Sequence, residues 1–97
     1  MSKVLQLEDQ LRQAGEAEMI LGHHLFRNAL DTLRADAYAK IEGTKPSQKD
    51  EREYLYLFLK AIAAFESQFQ FHIDEGRIAS SFIDKMRAEK AAKRRRS

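Results

Sequence analysis

Ninety-seven residues make an 11.2 kDa chain, which is room for one domain rather than two. With 43% hydrophobic and 33% charged residues, full disorder is excluded. With no cysteine, neither a disulfide nor a thiolate–metal site can reinforce a small core. The formal charge of +2 hides a division: residues 1–84 hold 10 basic and 14 acidic side chains, a net of −4, while residues 85–97 hold seven basic and one acidic, a net of +6. The expected organisation is therefore a helical domain over 1–84 and a basic tail over 85–97.

In chain order, the first nine residues turn acidic at Glu8-Asp9 before any apolar region develops, unlike a signal peptide. Ser2 is placed to cap a first helix over about 3–21, with Val4, Leu7, Leu11, Ala14 and Ala17 at helical spacing. Gly15 weakens its middle by about 1 kcal/mol relative to alanine. Gly22-His23-His24 reads as a break or kink. A second helix follows over about 25–42. Its stripe is Phe26, Leu30, Leu33, Ala37 and Ile41, widened by Ala29 and Tyr38, and Gly43 stands just past its end.

Thr44-Lys45-Pro46-Ser47 is the clearest turn, because Pro46 pushes Lys45 out of the helical region. Ser47 is the expected N-cap of a third helix, with Asp50 and Glu51 meeting its free amides and positive end. That helix is expected to run to about Glu75. Leu55, Phe58, Ile62, Phe65, Phe69 and His72 step by three and four, a heptad seam. Tyr54, Leu57, Ala61, Ala64 and Phe71 form a second stripe beside it. Gly76 is expected to end or kink this helix. A last amphipathic segment then runs from Arg77 to about Lys93 through Ile78, Phe82, Ile83 and Met86.

The short loop at 43–47 makes helices two and three antiparallel neighbours. The expected fold is all-α: an antiparallel helical hairpin with shorter flanking helices. Its apolar surface exceeds what one partner helix needs, so assembly into an oligomeric helical bundle is expected, with Leu55, Phe58, Ile62, Phe65, Phe69 and His72 as the interface. No membrane partner is expected, since the longest apolar run, Tyr54 to Leu59, falls far short of the roughly 20 residues that span a bilayer.

Few constellations could carry chemistry. Lys85, Arg87, Lys90, Lys93, Arg94, Arg95 and Arg96 could neutralise phosphates of DNA or RNA without reading sequence. With no aromatic residue after Phe82, base stacking by this tail is not expected. The same residues also suit a solvated helix C-terminus or a docking peptide for an acidic protein. His23 and His24 are adjacent and point to different sides of a helix, and His72 lies on the main seam. No HxxxH or Glu-x-x-His spacing occurs, so no metal and no cofactor is expected. Ser80, Ser81 and Asp84 lack a glycine-rich elbow and an orienting base. A catalytic residue, and hence an enzyme, is not expected.

Several segments carry a resemblance. They are Met19-Ile20-Leu21, Phe26-Arg27-Asn28-Ala29-Leu30 and Lys45-Pro46-Ser47-Gln48-Lys49-Asp50-Glu51-Arg52-Glu53. Leu59-Lys60-Ala61-Ile62, Phe65 and Ile73-Asp74-Glu75-Gly76-Arg77-Ile78-Ala79 complete the set. Over about residues 19–79 the chain resembles small all-helical proteins of tailed bacteriophages and prophages. The resemblance implies a phage origin and a helical hairpin. It brings no established activity, transfers no functional residue and stops short of the basic tail.

Two binding functions are expected from these features. One is a self-associating accessory protein that presents basic tails to nucleic acid in DNA packaging or virion assembly. The other is an inhibitor or adaptor whose hairpin face grips a host or phage protein. Either places the chain in the cytoplasm of a bacterial host, the first also in the virion.

Overall fold

The structure is a computed structural model that describes residues 2–96, and Arg96 by its backbone alone. The described residues form three helices and no strand: α1 (Lys3–Gly22), α2 (His24–Glu42) and α3 (Lys49–Arg96). The chain is all-α, and no helix among these residues is long and apolar enough to cross a membrane. Two compact units divide it, Met1–Met19 with Phe69–Ser97, and Ile20–Gln68.

Local chemistry sets the helix ends. The Ser2 hydroxyl accepts from the Leu5 amide at 3.4 Å, satisfying one of the free donors at the start of α1. His23 separates α1 from α2 with an extended backbone, φ −70° and ψ 129°, and its Nδ1 accepts from the Leu25 amide at 3.3 Å. The break expected at Gly22-His23-His24 is thus a single residue that caps α2. Gly43 ends α2 in the right-handed region, φ −80° and ψ −5°, with its N–H on the Ala39 carbonyl. Its glycine freedom is not used there.

The turn between α2 and α3 is held from α3. Arg52 donates from Nη1 to the Thr44 hydroxyl at 3.2 Å and the Lys45 carbonyl at 2.7 Å, and from Nη2 to the Pro46 carbonyl at 3.2 Å. Thr44 in turn donates to the Ile41 carbonyl at 2.7 Å, and Gln48 Oε1 accepts from the Lys45 amide at 2.7 Å. The cap position of α3 is Gln48, whose carbonyl accepts from the Arg52 amide at 3.3 Å. Ser47, expected as the N-cap, lies in the turn before it. Asp50 and Glu51 occupy the first helical turn, where the free amides favour negative charge.

The larger correction is at Gly76. No break separates 75 from 77: α3 is one continuous helix of 48 residues, and Gly76 is buried inside it. The heptad steps continue through it, with Gly76, Ala79, Ile83 and Met86 following His72 at intervals of four, three, four and three. Glycine costs about 1 kcal/mol in a helix interior, and here packing outweighs that cost. A Cβ at Gly76 would overlap the Ala14 Cβ and approach the Gln10 carbonyl to 3.5 Å. Only a glycine allows α1 to come this close.

Within the first unit, α1 buries Leu7, Ala14 and Ala17, and α3 buries Gly76 and Ala79. Polar contacts flank this seam. Gln10 Nε2 donates to Glu75 at 3.3 Å, and the Lys3 ammonium lies 4.3 Å from the centre of the Phe82 ring. Within the second unit, Leu30 and Ala37 of α2 and Ile62 of α3 are buried. Phe26 meets Phe65 with ring centres 6.0 Å apart. Glu66 of α3 pairs with Arg34 of α2, and Arg27 stands 4.0 Å away. Both Glu66 and Arg34 are partly shielded from water, so this pair is worth more than the exposed pairs elsewhere.

Gly76→Ala is expected to lower the unfolding free energy by about 1–2 kcal/mol, because overlap with Ala14 exceeds the helix-propensity gain. Ala14→Gly in the same chain should recover most of that loss. Urea denaturation of the single and double variants checks both statements. A stabilised Gly76→Ala variant would mean that α1 does not approach α3 this closely.

Candidate nucleic-acid interface

The basic residues beyond Asp84 form the last turns of α3 rather than a separate irregular segment. Lys85, Arg87, Lys90, Lys93, Arg94 and Arg95 are helical and exposed, and the Arg96 side chain lies outside the described residues. At a rise of about 1.5 Å per residue, the stretch covers roughly 17 Å of helix. Duplex DNA carries one charge per about 1.7 Å, so the stretch can face several phosphates at once. Cations at this end also oppose the negative pole of the helix.

Their surroundings are uneven. Arg87 and Lys90 line a groove that also holds Glu8 of α1 and Asp84 of α3, so carboxylates offset part of their charge. After Glu89 the sequence has no acidic residue. Among the described residues, Arg12, Arg27, Arg34 and Arg77 each stand in an ion pair with a carboxylate, whereas Lys85, Arg87, Lys90, Lys93 and Arg95 stand in none. Asp9, through a hydrogen bond and then through its charge, even raises the Arg12 guanidinium above its ordinary pKa. Arg12, Arg27, Arg34 and Arg77 of the body are engaged in ion pairs, and most of the cations at the end of α3 are available.

Lys3 belongs to the same neighbourhood. Its contact with Phe82 brings a cation from α1 to α3, one turn before Lys85. Nothing in the sequence signals this, since the partners are far apart along the chain and meet only through the α1–α3 packing.

The expected oligomer interface is divided by the fold. Ile62 is buried by the chain itself, and Leu55, Phe69 and His72 are half-buried. Phe58 and Phe65 remain 36% and 50% exposed. The flanking stripe is the more open one: Tyr54 is 71% exposed and Leu57 63%, and Ala61 and Ala64 are exposed as well.

The histidines serve local structure. His23 caps α2, His24 Nε2 lies 3.2 Å from the Asn28 amide nitrogen one turn on, and His72 sits edge-on to Phe71. Among the described residues no three His, Asp or Glu side chains gather as a metal would require. Ser80, Ser81 and Asp84 line a groove with Glu18 and Arg77, and no histidine joins them as a base. Comparison of the chain with protein-family models, curated proteins and solved structures gives no match.

His23→Asn is expected to hold stability within a few tenths of a kcal/mol, because the asparagine side-chain oxygen can accept in place of Nδ1. His23→Ala should cost about 0.5–1 kcal/mol, read as a lower thermal midpoint by circular dichroism. Equal stability of the two variants would remove the capping role.

Proposed function

We propose that this chain is a non-enzymatic, self-associating helical protein that holds nucleic acid at the cationic end of α3. In this reading α2 and the first part of α3 form a helical hairpin, the phage resemblance supplies the setting, and the role is that of an accessory factor in DNA packaging or virion assembly. The observation that carries the reading is the concentration of exposed, unpaired Lys85, Arg87, Lys90, Lys93 and Arg95 on an ordered helix, beside a body of net −4. Such an arrangement draws a polyanion to the cationic end and keeps it off the acidic body. Contact is through phosphates, so it is insensitive to base sequence and falls steeply with salt.

The test keeps the full chain and replaces Lys93, Arg94, Arg95 and Arg96 by glutamine, which preserves helix propensity. Binding to duplex DNA is followed by fluorescence anisotropy across a salt series. Each lost phosphate contact should flatten the slope of log K against log salt by about 0.9, so losing all four contacts flattens it by about 3–4. Unchanged affinity and slope in the variant, or no binding by the parent at low salt, removes this function.

A second reading rests on a different observation. Tyr54, Tyr56, Leu57 and Tyr38 in one unit are all more than half exposed, and exposed aromatic residues suit a protein contact. Here the chain is an inhibitor or adaptor for a host enzyme or defence complex. A pull-down from nuclease-treated bacterial lysate distinguishes the two. One stoichiometric protein retained by the parent and lost on Tyr54→Glu supports the adaptor, and an empty pull-down removes it.

A further inference from the structure

We infer that a second copy of this chain docks on the α3 stripe Tyr54, Leu57, Ala61 and Ala64, in antiparallel orientation about a twofold axis. The inference rests on the self-association proposed above and names the face and geometry that perform it.

The surface area calls for a partner. The chain exposes 7885 Å², against about 5,700 Å² for an ordinary folded monomer of this mass. The difference, roughly 2,000 Å², is comparable to one subunit's share of a large obligate interface. No large side chain among the described residues is fully buried, and the apolar core is limited to seven residues, four of them alanine. A second copy removes the deficit with residues already present.

Spacing selects the stripe. Tyr54, Leu57, Ala61 and Ala64 step by three, four and three, which is the period a partner helix follows. The seam next to it, through Leu55 and Ile62, is already covered to a large extent within the chain. Phe58 and Phe65 border the open stripe and are themselves partly exposed, so they widen the face.

Size selects the orientation. The two bulky residues lie at one end of the stripe and the two alanines at the other. A parallel pair sets Tyr54 against Tyr54 and alanine against alanine, leaving a crowded end and an empty one. An antiparallel pair sets Tyr54 of one copy beside Ala64 of the other and Leu57 beside Ala61, so that large faces small along the whole contact. The same patch serves both copies, as a closed twofold dimer requires.

Sedimentation equilibrium on the purified, nucleic-acid-free chain tests the face. The parent should run at twice 11.2 kDa, and Leu57→Glu and Ala61→Glu should each run at the single mass with helical circular dichroism retained. Tyr38→Glu, at an exposed position off the stripe, should remain dimeric. Orientation is read from cysteines introduced into this cysteine-free chain. Leu57→Cys mixed with Ala61→Cys should give the mixed disulfide in at least tenfold excess over the Leu57→Cys homodimer. A dimer that survives both glutamate substitutions overturns this face and leaves self-association standing. A parent that is monomeric at 100 μM overturns both, and preferential Leu57→Cys homodimers overturn the antiparallel order.

Discussion

A helix as long as α3 can bury apolar side chains only where something lies along it, and here the chain supplies companions of its own. α2 packs against α3 through Phe26, Arg34 and the buried Leu30, Ala37 and Ile62. α1 packs against it through Gln10, Ala14 and Lys3. Everything else depends on this use of one helix as a shared platform. Within one unit α2 meets α3 at Phe65, and within the other α1 meets it at Gly76; the stripe through Tyr54 and Leu57 stays exposed. An apolar helix face left in water is unfavourable by roughly 25 cal/mol per Å², which is the physical ground for the proposed self-association.

Most of the architecture was legible because helices announce their ends. Ser2, Pro46 and the acidic pair Asp50-Glu51 are local signals, and the helices begin within a residue or two of where they point. The error at Gly76 has a definite physical origin. Intrinsic propensity argued for a break, while the seven-residue period ran straight through, and propensity is the weaker of the two once a neighbouring helix needs the space. Ser47 failed for a smaller reason: Gln48 and Arg52 take up the turn's free groups with their side chains and shift the cap by one residue. Arg52 could have been suspected from its place after Asp50-Glu51, but its carbonyl partners become visible only once the turn is built.

Of the candidate functional residues, the basic set is the one that sequence alone could find, since charge is read directly. Its helical setting was less accessible, because Lys, Arg and Ala are good helix formers whether or not a helix is present. The setting matters for energetics. A flexible basic tail loses conformational freedom when it lies along a polyanion, at a cost of about 1–2 kcal/mol per residue fixed. Cations already carried on α3 avoid most of that loss. The apolar stripe was legible in position, but which of two adjacent stripes would stay open was not. That choice depends on how far round α3 the side chains of α2 reach.

The contact between Gly76 and Ala14 also bears on motion. A glycine in mid-helix is a point of low bending stiffness, and α3 has its only interior glycine there. While α1 lies on it, Gly76 is buried against Ala14. If α1 peels away, the same residue becomes a solvated joint with the cationic segment on its far side. Release of the N-terminal helix is therefore expected to loosen α3 next to its basic end. Amide hydrogens of α1 and those flanking Gly76 are expected to exchange together, as a single opening unit.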